Sequence, residues 1–161
     1  DKVETLIFQR HRVDGGNAWR WPETAGTPAQ FEINSLTSDR DVDKVALIVN
    51  LSGTVSLDDL PEEQRTTFNH YVIQPVSPTS PSPTLIDSSE ALSNFESVAR
   101  QFLARTEADH GRISEISLFG AVPLSAAITL GRILMPSVSP AWRVFDRDDQ
   151  GTFVEACEVR R

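Results

Sequence analysis

A single cysteine, Cys157, stands in 161 residues, so the chain can form no internal disulfide and no cysteine-built metal cluster. A reducing cytoplasm fits such thiol usage. Histidine is nearly as scarce. His11, His70 and His110 are scattered without metal-ligand spacing, and structural or surface roles are expected for all three. No run approaches the ~18 apolar residues of a membrane-spanning helix. Asp1-Lys2-Val3-Glu4 is no signal peptide. The missing Met and the opening in mid-pattern read as a fragment of a longer protein. Basic charge is short as well: 15 Lys and Arg face 23 Asp and Glu, for a net charge of -8. That balance argues against holding DNA or RNA along the surface. It leaves room for one small anion pocket built from backbone N–H groups and a few placed arginines. Enzyme signatures are missing too. There is no G-x-G-x-x-G, no G-x-x-x-x-G-K-[ST] and no G-x-S-x-G. Cys157 sits inside a strand pattern with no histidine nearby in sequence, a poor setting for a catalytic thiol.

What is present reads as one globular domain. Apolar residues make up 39% and charged residues 24%, ordinary values for a soluble fold. Thr5–Gln9 and Phe31–Asn34 read as short strands, with an irregular tryptophan-bearing stretch between them. Val45–Leu51 is a continuous β-rich apolar run, as in a strand covered on both faces. An acidic stretch, Asp58–Thr67, reads as a helix, and His70–Pro75 as a strand. Val76–Leu85 carries three prolines and no periodicity, which predicts an exposed, mobile loop. Asp87-Ser88-Ser89-Glu90 resembles a capping box, and apolar residues at helical spacing follow, predicting a helix over Ser88–Glu107. Glu115–Val122 is a strand. Pro123 opens a helix running to Met135 that is apolar on nearly every face and is expected to be buried. Strands at WRVFD and TFVEACEV form a closing hairpin. This alternation predicts an α/β domain with a mostly parallel sheet and an antiparallel edge hairpin.

Ligands of such sheets bind beyond the carboxyl ends of the strands. Two turns qualify. Ser52-Gly53-Thr54 follows one strand; Phe119-Gly120-Ala121-Val122-Pro123-Leu124-Ser125 leads from another into a helix. Small residues let a ligand approach the backbone, and the first amides of a helix point at an anion. The plain alternative is a tight turn packed with small residues. Trp19, Arg20 and Trp21 add a possible platform: residues two apart in an extended chain share a face, so two indoles could stack a base and the arginine pair with its phosphate. Indoles capping a core edge are commoner. Asp146–Gly151 opens like a calcium loop, but Cys157 stands where the twelfth-position Glu belongs, so a hairpin turn is expected. Asn50-Leu51-Ser52 matches a glycosylation sequon at the end of a buried strand and carries little weight.

LSGTVSLDDLP (Leu51–Pro61), followed by ISLFGAVPLSAAITLGRILM (Ile116–Met135) with its Gly131-Arg132 pair and then by Val144-Phe145-Asp146, resembles the SAVED family over about Val45–Val159. The resemblance implies a Rossmann-like (CARF-like), three-layer sensor domain, with 1–44 as an N-terminal strand and tryptophan-containing loop and 45–161 as the Rossmann-like unit. It implies binding of a cyclic tri- or tetranucleotide made by a CD-NTase-like or CRISPR-linked cyclase in bacterial antiphage defence (CBASS). Self-association on binding would switch on a fused nuclease, NADase or protease. By carry-over, Ser52, Gly53, Thr54 and Ala121–Ser125 line the ligand; no catalysis, cofactor, metal, membrane or direct nucleic-acid contact is implied. The chain is shorter than a two-unit SAVED domain, so it is expected to be chiefly the C-terminal half. Two alternatives stay open: a ring nuclease or small phosphoester hydrolase on this scaffold, and a ligand-independent oligomerisation module.

Overall fold

A computed structural model of the chain describes residues 7, 21, 26–134 and 139–159. Among them are six strands, β1 (Phe31–Thr37), β2 (Lys44–Asn50), β3 (Asn69–Pro75), β4 (Glu115–Ala121), β5 (Ala141–Arg147) and β6 (Phe153–Val159). The helices are α1 (Glu62–Thr67), α2 (Ser89–His110) and α3 (Leu124–Ile133), with a 3-10 turn at Leu57–Asp59. The strands form one sheet in the order β1-β3-β2-β4-β5-β6. Its four central strands run parallel. β6 is antiparallel to β5, as the hairpin pattern predicts, and β1 is antiparallel to β3 at the other edge. The Thr5–Gln9 strand expectation lies outside the described residues except for Ile7, which is half-buried against the larger core.

The period-two alternation of β2 explains the layers. Val45, Leu47 and Val49 face a larger core closed by Phe95, Ala99 and Phe102 of α2 and by Ala126, Leu130 and Ile133 of α3. Ala46 and Ile48 face a smaller core, closed by Val55, Leu60 and Phe68 from the β2–β3 connection and by Phe145 and Phe153 from the hairpin. β2 is covered on both faces because the β2–β3 connection packs on one side of the sheet and α2 and α3 pack on the other.

Three expectations change in detail. The α3 helix is not buried all round. Ser125, Ala126, Thr129, Leu130 and Ile133 face inward, whereas Leu124 and Ile128 are 68% and 42% exposed. A helix lying on one sheet can cover only one of its own faces, however apolar the rest. The acidic stretch Asp58–Thr67 splits at Leu60-Pro61 into the 3-10 turn and α1, because Leu60 turns into the smaller core and Pro61 caps the next helix. At α2, Ser88 accepts a hydrogen bond from the Ala91 N–H at 3.2 Å. Glu90 falls one position short of the reciprocal carboxylate, so half of the capping box is present. The helix runs on to His110, where Gly111 at φ 70° ends it.

Candidate ligand-binding site

β2 lies at the centre of the parallel strands. The chain steps from it to β3 on one side, then crosses over to β4 on the other. Crossovers of constant hand place connections on opposite faces when the direction of travel reverses. Accordingly, the segment after β2 drops toward the smaller core, and α3 after β4 packs on the larger one. The two chains part at the carboxyl ends of β2 and β4. This is the switch point where open α/β sheets accept ligands. Both turns singled out from the sequence flank it.

The rim is held by backbone. The Ala121 carbonyl accepts hydrogen bonds from Leu51 N–H at 3.0 Å and Ser52 N–H at 2.8 Å. Asn50, 5% exposed, closes the turn that follows. Its Oδ1 accepts from Val55 N–H at 2.8 Å, and its Nδ2 donates to the Val55 carbonyl at 3.3 Å. Gly53 lacks a positive φ. Its value is closeness: a Cβ there would stand 3.4 Å from that of Ala121. Pro123 precedes α3 and provides no side-chain cap for its first-turn amides.

Thr54 and Leu124 are exposed at this rim, and Ser52, Gly53, Gly120, Ala121, Val122 and Pro123 are half-buried in it. Two residues that the sequence grouped with them lie beneath it. Phe119 is fully buried, stacked on Phe145 at 4.6 Å between centroids and edge-on to Phe153 at 5.3 Å. Ser125 is also fully buried, and its carbonyl accepts from the Thr129 hydroxyl at 2.9 Å. Both support the rim from below. Trp19 and Arg20 of the proposed stacking platform lie outside the described residues; Trp21 is half-buried against the larger core.

Sequence reasoning missed three contributors. Asn50 was read only as part of a sequon, although a polar residue ending an otherwise apolar strand was the available signal. The proline-rich segment was expected to be mobile. Its surface is exposed, yet Ser82 N–H donates to the Leu51 carbonyl at 2.8 Å, and Leu85 and Ile86 are buried. It therefore walls the rim on the β2 side. Arg147, at the end of β5, pairs with Asp59 at 3.1 Å. Nothing in the sequence linked residues so far apart.

Other polar groups serve the scaffold. His70 is buried, and its Nε2 lies 2.8 Å from the Gln64 carbonyl, which makes it the donor there; burial lowers its pKa. The Tyr71 hydroxyl donates to Asp109 at 2.9 Å and meets His110 Nε2 at 2.7 Å, tying the end of α2 to β3; burial, then Asp109, pushes its pKa up. A polar recess of about 230 Å³ lined by Ser38–Val42, Asp109 and His110 lies at this opposite end of the sheet. In the hairpin turn, Asp148 Oδ1 accepts from the Gln150 and Thr152 amides, both at 2.9 Å. Among the described residues, no three His, Cys, Asp or Glu gather to hold a metal ion, and no helix is long and apolar enough to cross a membrane.

A mostly parallel sheet with helices, antiparallel at both edges and open at a central switch point, defines a Rossmann-like α/β domain of the CARF-like kind. The family model of SAVED, the SMODS-associated and fused to various effectors sensor domain, matches residues 1–159, and the chain belongs to that family. Its fold is similar to that of the Acinetobacter baumannii Cap4 SAVED/CARF-domain containing receptor. Against that receptor with the cyclic trinucleotide 3′3′3′-cAAA the TM-score is 0.66 at 16% identity, over 86% of this chain and 29% of that one. With 2′3′3′-cAAA the values are 0.67, 15%, 87% and 30%. This chain thus spans about three-tenths of the length of those receptors. Among curated proteins, no relative matches.

Proposed function

We propose that this chain is the sensor part of a larger defence effector and binds a cyclic oligonucleotide, a cyclic tri- or tetranucleotide, at the switch point between β2 and β4. The observation that carries the reading is the paired rim, in which two small-residue strand ends share the Ala121 carbonyl in a chain of a sensor family. Ser52, Gly53 and Thr54 offer one wall. Gly120–Leu124 and the α3 amides offer the other, suited to a phosphate. The cAAA ligands of the Cap4 receptors support a ring of this kind. The domain itself performs no catalysis and needs no cofactor. A cyclase supplies the ring in the cytoplasm, and ring binding drives self-association that activates the fused effector. The chain forms chiefly the C-terminal of two Rossmann-like units.

The test is a thermal-shift screen with cyclic di-, tri- and tetranucleotides and their linear equivalents. A ring at about 100 times its Kd stabilises the native state by ~2.7 kcal/mol. At roughly 2–4 °C per kcal/mol for a domain of this size, the midpoint rises by about 5–11 °C. A shift with one ring and none with its linear form is expected. No shift with any ring, for this chain and for the full-length protein alike, overturns the reading.

A further inference from the structure

The carboxyl ends of the parallel strands and the segments just beyond them comprise residues 50–59, 75–88, 120–125 and 146–152. They contain a single cation, Arg147; the acids there are Asp58, Asp59, Asp87, Asp146, Asp148 and Asp149. A guanidinium binds a phosphodiester more strongly and with more directional specificity than neutral amides do, and in a chain of net charge -8 it would also offset the acids around it.

The geometry places Arg147 where it can serve. β4 and β5 pair in register, with Phe119 opposite Phe145. Arg147 is the last residue of β5, two beyond that pair, as Ala121 is the last residue of β4. Asn50 lies opposite Ala121 on its other side. Arg147 therefore ends the strand next to the one that carries Ala121, on the β5 side of the switch-point rim. The guanidinium lies over the buried ring of Phe153, 4.4 Å from its centroid, and donates to the Gly151 carbonyl at 2.6 Å. Its remaining reach goes to Asp59 Oδ2 at 3.1 Å. Asp59 belongs to the segment that leaves β2 through Ser52-Gly53-Thr54, and the same oxygen accepts from Ser56 N–H at 2.9 Å. Both side chains of the pair are more than a third exposed, so an incoming anion has access to the pair.

Resting on the proposed ring-binding site, we propose that Arg147 is its phosphate-binding cation and that Asp59 holds the guanidinium in place until a phosphodiester of the ring displaces it. Phe153 and the Gly151 carbonyl fix the fork while its outer N–H groups exchange a carboxylate for a phosphate. Binding thereby frees the segment after β2 from β5, at the place where the rim meets the ligand.

The two partners of the ion pair make opposite predictions. Arg147→Gln removes the cation and weakens ring binding about ten- to a hundredfold, the range of a hydrogen bond to a charged group. Arg147→Lys keeps the charge without the fork and falls between. Asp59→Asn still accepts from Ser56 N–H but no longer competes for Arg147, so it tightens binding several-fold. The experiment is calorimetric titration of each variant with 3′3′3′-cAAA, 2′3′3′-cAAA and whichever ring shifts the unaltered chain, with an unfolding midpoint for each. Binding by Arg147→Gln equal to that of the unaltered chain overturns the assignment and leaves the site reading intact. Equal weakening by Arg147→Gln and Asp59→Asn also overturns it, since the pair is then only a structural tie. If neither the unaltered chain nor the full-length protein binds a ring, the site reading fails and this assignment falls with it.

Discussion

Replacing Asn50 with alanine tests whether the ligand rim is built by one side chain. Asn50 is buried and makes two hydrogen bonds to Val55, one through each end of its amide. Each such bond contributes about 1 kcal/mol net, and a buried partner left unsatisfied costs about 1–3 kcal/mol. Val55 is itself 4% exposed, so water reaches its N–H and C=O poorly. The expected loss is therefore about 2–3 kcal/mol, or roughly 4–12 °C in Tm for a domain of this size. Asn50→Asp separates the two bonds. The carboxylate still accepts from Val55 N–H, but its second oxygen faces the Val55 carbonyl, and a buried charge without a partner adds its desolvation cost. It is expected to be at least as destabilising as the alanine variant at neutral pH and to recover as the carboxyl is protonated. Urea titrations at pH 5 and pH 7 measure both, with ring affinity read in parallel. An Asn50→Ala variant within ~0.5 kcal/mol of the unaltered chain and with unchanged ring affinity would refute the reasoning.

Other perturbations separate scaffold from site. Phe119→Ala should cost about 3–5 kcal/mol in urea unfolding, because the ring fills the smaller core between Phe145 and Phe153; a ligand-facing phenylalanine would instead lose affinity at little cost in stability. His70 has its pKa lowered from 6.5 by burial, so the unfolded chain takes up its proton more readily than the folded one. The stability that neutral His70 contributes is complete above about pH 6.5 and declines as pH falls below it toward the depressed folded value. His70→Gln should flatten the urea midpoint between pH 7 and pH 5, and an unchanged slope would assign that pH dependence to other groups.

The sequence made most elements legible because their signals are local. β2 is an unbroken apolar run, α2 carries a capping serine and a helical stripe, and Pro123 with its small neighbours marks where β4 passes into α3. The two strand-end turns were visible for the same reason. Burial was less legible. Phe119 and Ser125 look identical in sequence to their rim neighbours, and only packing decides which side chains point under the rim. The reverse holds for α3, whose composition suggests full burial while its geometry allows a single covered face.

Residue order alone thus determined the α/β alternation, the central strands and the two small-residue turns, since periodicity and turn chemistry act over a few residues. The tertiary structure decided the antiparallel pairing of β1, the order that puts β2 beside β4, the anchoring of the proline-rich segment on Leu51 and the Asp59–Arg147 pair. Each joins segments distant in sequence. Their partners are selected by crossover handedness and by which faces remain to be covered, and no local pattern encodes either.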